Sequence, residues 1–358
     1  MRKILFLLSI VVILLLFSLP CSAVDRVDEY ISEFEESLPD GYEELADQES
    51  LINAASPKSL LSYVIEVISG ERSEIFGFFL ALLGTAALCS VASLCHERLS
   101  GVVQCVVGVI SSVVIFSYLR PLIESITDGI SKISGFFASL IPITLGITAL
   151  GGGTATASAQ AVGMYTALSS VGGLGGEIFI SLGSFGLAMS LISPFHNDGI
   201  AAVLRGVRGI FGWLSGIFTA LITAAFSLQT IVASSVDSAS MRAVRYAASG
   251  LIPVVGSTVS GAISTLASGL SYAKGVVGGG AILVIIYMAL SPLILMLLYR
   301  LALTLANIFS DFAGASVASR IFTAYRFSLD MTVTVYALSA LIYLFELIIF
   351  TVIGVAAL

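Results

Sequence analysis

Long apolar runs fill most of the chain. Residues 75–95 carry no charge over 21 positions, residues 102–119 are almost wholly apolar, and residues 133–176 stay uncharged over 44 positions. An α-helix needs about 20 apolar residues to cross a bilayer. The first two runs therefore predict one span each, joined by a tight loop at residues 96–98. The third run predicts two spans, with a turn at residues 151–154.

The apolar pattern continues to the C-terminus and predicts an all-α, polytopic transmembrane helical bundle. Further runs occupy residues 174–195, 213–233, 247–273, 275–299 and 331–358. The segment at residues 247–273 is rich in Gly and Ser, and it could either cross the bilayer or dip in and return. We therefore expect about seven or eight crossings within a membrane domain at residues 75–358, with the order of crossings after residue 196 left open.

The segment at residues 24–74 has a different pattern and predicts a small helical domain. Its first apolar residues recur at the i, i+3, i+4, i+7 spacing of a helix with one apolar face. They are Val27, Tyr30, Ile31 and Phe34. Leu-Pro-Asp-Gly at residues 38–41 predicts a turn, and a second helix is expected from Tyr42 to about Asn53.

A third helix is expected to begin after Ser56 and to end near Gly70. Ser56 is suited to cap the helix N-terminus, and Pro57 is suited to the first helical position. About fifty residues form too little core to guarantee independent folding. We therefore interpret this region as a small helical cap or partner-binding surface.

Residues 1–23 have the order of features found in export signals. Arg2 and Lys3 precede an apolar run at residues 4–19, and Pro20 and small residues up to Ala23 follow it. This pattern predicts cleavage after Ala23, with an uncleaved anchor helix as the alternative. In both cases the acidic segment emerges outside the cytoplasm and the first span runs inward. The loop at residues 96–98 is then cytoplasmic, which agrees with the enrichment of Lys and Arg in cytoplasmic loops.

Composition supports a membrane protein and shows that its excess of acidic residues lies in one segment. Apolar residues make up 57% of the chain, charged residues make up 11%, and the mean hydropathy is +1.05. Soluble domains carry about 25% charged residues. Residues 25–74 hold fourteen Asp and Glu and three Lys and Arg, a net charge of −11, whereas residues 75–358 have nine acids and eleven bases, a net charge of +2. The acidic balance thus belongs to one short segment, and no basic patch predicts binding to nucleic acid.

No motif in the sequence predicts catalysis, a cofactor or a metal. The chain has no phosphate-binding glycine loop, no zinc-type spacing of Cys and His, and no serine nucleophile motif. Cys89, Cys95 and Cys105 lie in or beside apolar runs, which is typical of small buried residues rather than of disulfides. We therefore expect a protein that is not an enzyme.

Two ridges of small residues indicate close helix packing. The first comprises Gly206, Gly209, Gly212 and Gly216, and the second comprises Gly256, Ser260, Ser264 and Ser268. Small residues let helix backbones approach one another where lipid supplies no hydrophobic driving force. The ridges could serve packing within the chain, a subunit interface, or the polar lining of a passage.

Glu346 stands in the middle of the last apolar run. A charge at the centre of a bilayer costs about 2.5–3.5 kcal/mol on insertion scales. We therefore expect this carboxyl to be protonated, paired, or directed into a wet cavity. Three interpretations remain open: a structural pair, a role in a passage or interface, and chance tolerance.

One stretch resembles a known family. It contains Arg242, Arg245 and Tyr246, then Pro253 and Gly256, then Lys274 and Gly278. Basic and aromatic residues enter a segment that Pro253 and Gly256 would break, and Lys274 is expected to leave it at the membrane interface. With the export signal, the acidic segment and the spans in the same order, this resembles the stage III sporulation protein AE family of endospore-forming bacteria. Arg242 and the other motif residues carry no known role.

The resemblance implies a mother-cell protein of the membrane around the forespore. Family members belong to an oligomeric, secretion-like complex that connects the two compartments and supports the forespore after engulfment. Its other members include a cytoplasmic ATPase, small membrane proteins, ring-forming proteins and a forespore-side partner. The alternative is an autonomous secondary transporter for a small solute. Such transporters often contain paired broken helices, whereas only one broken segment is visible here. Neither the transported substrate nor the number of copies follows from the sequence.

Overall fold

The computed structural model describes residues 26–94, 97–151, 154–173 and 256–353, together with scattered positions between residues 202 and 223. Over these ranges the chain is helical apart from short turns and contains no β-strand, which confirms the all-α fold class. The helices are α1 (residues 26–37), α2 (Gln48–Ala54), α3 (Pro57–Ser93), α4 (Glu97–Leu150), α5 (Thr154–Gly173), α6 (Gly256–Phe312) and α7 (Ser316–Ile353). The predicted export signal lies outside the described residues, so its cleavage stays a prediction.

Four helices in the described ranges are long and apolar enough to cross a membrane. The candidate spans are Pro57–Ser93, Val102–Leu150, Ser268–Phe312 and Ser316–Val352. They support a polytopic membrane protein, while the predicted total of seven or eight crossings includes residues outside the described ranges. Each helix is longer than one crossing requires. The 57 residues of α6 correspond to about 85 Å at about 1.5 Å per residue, roughly twice the thickness of a bilayer with its headgroups.

Two antiparallel hairpins bring their turns to the same end of the bundle. The α3–α4 hairpin turns after Ser93, as the predicted loop at residues 96–98 requires, and the α6–α7 hairpin turns through Gly314, which has a φ of +68°. The Ser90 hydroxyl donates a hydrogen bond of 2.8 Å to the Ala313 carbonyl, so the two turns lie side by side. We call this end of the bundle the hairpin end.

Helix α4 joins two runs that the sequence presents as separate spans. Residues 102–119 and 133–150 lie in one helix that continues through the charged residues between them. Within that charged middle, Arg120 pairs with Glu124 at 2.9 Å and Lys132 pairs with Asp128 at 2.8 Å, and all four side chains are exposed. The helix ends at Leu150 and α5 begins at Thr154, which confirms the predicted turn.

The expected end of the third helix at Gly70 is wrong. Helix α3 passes through this residue and continues to Ser93. A glycine inside a helix costs only about 1 kcal/mol relative to alanine, and the apolar run that follows supplies more than enough burial to offset it. The start of the helix is as predicted, because the Ser56 hydroxyl accepts a hydrogen bond of 3.2 Å from the backbone N–H of Ser59.

The acidic N-terminal segment packs against the bundle, and we call its residues 26–47 the acidic strap. Val27 and Phe34, from the predicted apolar face of α1, are buried, and so are Leu38 and Leu45 further along the strap. The predicted second helix is shorter than expected and is divided into a 3₁₀ turn, Glu43–Ala46, and α2.

Two glycines of the long helices accommodate the strap. A Cβ atom added at Gly146 of α4 would collide with the ring of Tyr30. A Cβ added at Gly280 of α6 would lie 2.8 Å from both the Phe34 ring and the Leu45 carbonyl oxygen. Both positions therefore need a residue without a side chain for the strap to dock between α4 and α6.

Candidate functional site

A polar cavity of about 750 Å³ opens where the strap meets the long helices. Its walls are residues 37–42 of the strap, Tyr63 of α3, residues 125–139 of α4 and residues 288–292 of α6. The α4 wall includes charged residues from the middle of that helix. This volume lies within the range of about 300–1,000 Å³ that ligand pockets occupy. The cavity thus combines parts of the chain that are more than two hundred residues apart in sequence.

Tyrosine side chains connect the walls of the cavity. The Tyr63 hydroxyl donates a hydrogen bond of 3.2 Å to the Tyr287 carbonyl, and the two rings meet edge to face with centroids 4.9 Å apart. The Tyr287 hydroxyl in turn donates a hydrogen bond of 2.9 Å to the carbonyl of Ala54, at the end of α2. These contacts link α2, α3 and α6 in one polar and aromatic network.

Charged and hydroxyl groups give the cavity a mixed polar lining. Asp40 of the strap and Asp128 and Lys132 of α4 lie in its wall. Burial raises the pKa of the Tyr42 phenol, and the nearby Tyr63 adds to the effect. Tyr42 is therefore a neutral phenol, able to donate and accept hydrogen bonds, throughout the physiological pH range. The lining can solvate a polar solute or a column of water.

One side of the cavity is closed by a tight meeting of three helices. A Cβ added at Gly129 of α4 would lie 3.3 Å from Cγ of Pro292 in α6 and 3.4 Å from the hydroxyl of Tyr336 in α7. Pro292 lacks a backbone N–H, so it leaves the carbonyl of Met288 without its usual helical donor. Met288 itself lines the cavity, so this break in the helical hydrogen bonding lies at the polar site.

Three residues selected from the sequence come together between α6 and α7. The ammonium of Lys274 lies 5.7 Å from the centre of the Phe350 ring, over its face. Glu346 is fully buried one turn before Phe350 on α7. Gly278, one turn after Lys274, would place an added Cβ 3.2 Å from the Phe350 ring.

The expectation that Lys274 marks the end of a segment is wrong. This side chain is only 8% exposed and lies inside α6, not at the end of a segment. The reason is that α6 runs without a break from Gly256 past the glycines that follow Lys274. The burial of Glu346 agrees with the expectation of a carboxyl that the protein interior accommodates, and its role stays a prediction.

The remaining motif residues are described in part or not at all. Arg242, Arg245, Tyr246 and Pro253 lie outside the described residues. Gly256, Ser260 and Ser264 lie in the first turns of α6, and Ser268 follows with an exposed side chain. The other predicted ridge, at residues 206–216, has no atom of the described chain within 4 Å of an added Cβ at any of its glycines.

Sequence reasoning missed an ion pair between α6 and α7. Arg300 donates from Nε to the Asp330 carboxylate, and the Asp330 side chain is 18% exposed. The signal was available, since Arg300 and Asp330 are the charges that bound the last two long apolar runs. Their pairing required the α6–α7 hairpin, which the sequence pattern did not specify.

The described residues offer binding groups but no assembled catalytic centre. No group of three His, Cys, Asp or Glu side chains in the ranges that the structure describes could hold a metal ion. Cys89 is a free, buried thiol 4.0 Å from the Ser111 hydroxyl, which agrees with its prediction as a small buried residue. The arrangement is suited to solvating polar groups inside an apolar bundle.

Comparison with known proteins identifies one related family. A family model described as stage III sporulation protein AE matches residues 43–356, nearly the whole chain. No curated protein and no solved structure matches the chain.

Proposed function

The chain belongs to the stage III sporulation protein AE family, and on that premise we propose that it is a membrane subunit of the complex that connects the mother cell with the forespore. In this proposal it is made in the mother cell and resides in the membrane around the forespore. Its role is that of a scaffold or conduit without chemistry of its own, needed for forespore development after engulfment.

The observation that carries the proposal is the family match over the long apolar helices. Four described helices can cross a membrane, and a polar cavity lies among three of them. A polar cavity beside apolar helices supplies hydrogen-bonding partners to polar solutes and water, which suits the mouth of a passage or its supporting scaffold. The expected partners are the cytoplasmic ATPase, the small membrane proteins, the ring-forming proteins and the forespore-side protein of the complex.

The small-residue ridge of α6 provides the functional test. Replacing Gly256, Ser260 and Ser264 together by Leu fills the ridge without lowering its hydrophobicity or helix propensity. We expect normal insertion into the membrane and completed engulfment, followed by loss of late forespore gene expression measured with a forespore-specific reporter. A matched control is Gly275→Leu on the same helix, where an added Cβ meets no atom within 4 Å.

The triple variant contradicts the proposal if late forespore expression and spore yield equal those of the unmodified chain. The cavity also suits the alternative of an autonomous transporter for a small solute. That alternative predicts solute uptake by the purified chain alone in proteoliposomes, whereas a subunit of a larger complex is expected to be inactive by itself.

A further inference from the structure

The exposed surface of α4 changes character along its length. Towards the hairpin end it exposes large apolar side chains to the surroundings. These are Val102, Val106, Ile110, Val113 and Val114. From residue 115 to residue 150 no large apolar side chain of α4 is exposed. Residues 133–150 are nonetheless as free of charge as residues 102–119, so the difference arises from packing and not from composition.

Helix α6 shows the same change at the same level of the bundle. Residues 276–296 contain no exposed side chain. Beyond them, towards the hairpin end, α6 exposes a series of large apolar side chains. These are Leu297, Leu301, Leu305, Ile308, Phe309 and Phe312. The α4–α6 face is therefore divided into an apolar hairpin half and a half whose apolar residues are covered.

The acidic strap covers part of the second half, together with the neighbouring helices. It docks over Gly146 and Gly280 through Tyr30 and Phe34. All nine of its acidic residues are exposed: Asp28, Glu29, Glu33, Glu35, Glu36, Asp40, Glu43, Glu44 and Asp47. Charged side chains facing hydrocarbon are strongly disfavoured. A docked strap therefore cannot face lipid acyl chains.

Charged residues mark the boundary between the two halves. The exposed pairs Arg120–Glu124 and Asp128–Lys132 lie on α4 at this level, and Arg300 pairs with Asp330 at the corresponding level of α6 and α7. On the hairpin side, residues 102–119 extend over about 27 Å, at about 1.5 Å per residue, close to the hydrocarbon thickness of about 30 Å. The hydrocarbon of a single bilayer thus fits the hairpin half alone.

We propose that lipid acyl chains cover only the hairpin half of the α4–α6 face, and that the half beneath the acidic strap lies in water. Residues 133–150 of α4 and 276–296 of α6 then pack as the core of an aqueous domain, despite their span-like composition. A flat bilayer at the level of the hairpin half also leaves the exposed apolar stripe of α7, which includes Leu341 and Phe345, and Tyr272 of α6 outside the hydrocarbon. The proposal therefore requires that protein covers these side chains in the membrane. It holds whether or not the chain belongs to a channel complex.

Thiol labelling in membranes tests this placement. The native cysteines are first replaced by Ser or Ala, and single cysteines are introduced as Glu33→Cys, Pro142→Cys, Val106→Cys and Leu305→Cys. All four positions are exposed on the protein surface. Membrane vesicles are permeabilised so that both sides are reached, and they are then treated with a charged maleimide that reacts with thiols only in water.

We expect labelling at positions 33 and 142 in the membrane, and loss of labelling at positions 106 and 305. Solubilisation in mild detergent, which leaves the protein folded, should not change the extent of labelling at the first two positions. Complete denaturation should label all four and verifies that each thiol is present. Protection of the cysteine at position 142 to the same extent as the cysteine at position 106 would overturn the proposal, since both lie on the surface of the same helix.

Discussion

Replacing Gly280 by Leu should release the acidic strap from the bundle. The position tolerates no side chain in the docked state, because an added Cβ would lie 2.8 Å from both the Phe34 ring and the Leu45 carbonyl oxygen. A backbone oxygen cannot rotate away as a flexible side chain can. Either the strap must move as a unit or α6 must shift against its neighbours.

The size of the effect follows from the packing. Forcing extra carbon atoms into a well-packed interface costs about 1–3 kcal/mol. An intermediate strain of about 2 kcal/mol shifts an equilibrium roughly 30-fold, since about 1.4 kcal/mol corresponds to a factor of ten. Full burial of Phe34, which is 0% exposed, contributes about 1.5–3 kcal/mol to docking. The strain is thus comparable to the contribution of the main anchoring side chain.

A buried reporter measures the release. Leu45 is 7% exposed in the docked strap, so a cysteine at this position in a cysteine-free chain should react slowly with a water-soluble maleimide. Adding Gly280→Leu should raise the labelling rate roughly 30-fold, in proportion to the undocked population. The matched control is Gly275→Leu, which lies on the same helix with no atom within 4 Å of its added Cβ and should leave the rate unchanged.

Equal labelling rates in the two glycine variants, at normal protein abundance, would refute the docking of the strap over Gly280. An increase in both variants would instead indicate that any leucine in this part of α6 disturbs the bundle. Release of the strap should also remove the wall that residues 37–42 contribute to the cavity.

Further predictions concern the buried charges and the N-terminus. Glu346→Gln should preserve assembly because it keeps the polar shape of a fully buried group, whereas Glu346→Leu should reduce assembly and spore yield; a normal spore count with Leu shows that the position has no special role. Arg300→Ala and Asp330→Ala should each lower the free energy of unfolding of the purified protein by about 1–3 kcal/mol. The exchanged pair, Arg300→Asp with Asp330→Arg, should lose less than the sum of the two single exchanges, and a loss equal to that sum would contradict a direct pair. Mass spectrometry should find cleavage after Ala23, and a cysteine at Ser50 should react with an impermeant maleimide from the extracytoplasmic side, while labelling only after lysis would reverse the topology.

Periodicity in the sequence predicted the local features well. The apolar face of α1 follows from the spacing of Val27 and Phe34, which are the residues that the bundle buries. The capping role of Ser56 and the turn after Leu150 follow from short-range rules about caps and glycines. These features depend on neighbours within a few residues, so the sequence contains the information directly.

Helix lengths were harder to predict, because charge and glycine do not by themselves end a helix. Helix α3 passes through Gly70, and α4 passes through the charged residues between its two apolar runs, where exposed ion pairs keep the charges solvated. Lys274 illustrates the same effect. It was expected to end a segment, but α6 continues through it, and its ammonium lies over the ring of Phe350, which is far away in sequence.

The cavity could not be predicted because it depends on tertiary contacts. Tyr63, Asp128 and Met288 line it from three helices, and none of them belongs to a recognisable motif. The glycines on which the strap docks are equally difficult to recognise from the sequence. Gly146 and Gly280 resemble many other glycines of the apolar runs, and only the docked positions of Tyr30 and Phe34 distinguish them.

Isolation of the chain from sporulating cells tests the proposed function most directly. An affinity-tagged copy that restores spore formation would be captured after engulfment, following mild crosslinking, and its companions identified by mass spectrometry. Membership in the complex predicts co-purification of the stage III ATPase, the ring-forming proteins and the forespore-side partner, and loss of these companions from the triple leucine variant of α6. Recovery of the functional tagged chain without any of them would contradict the assignment.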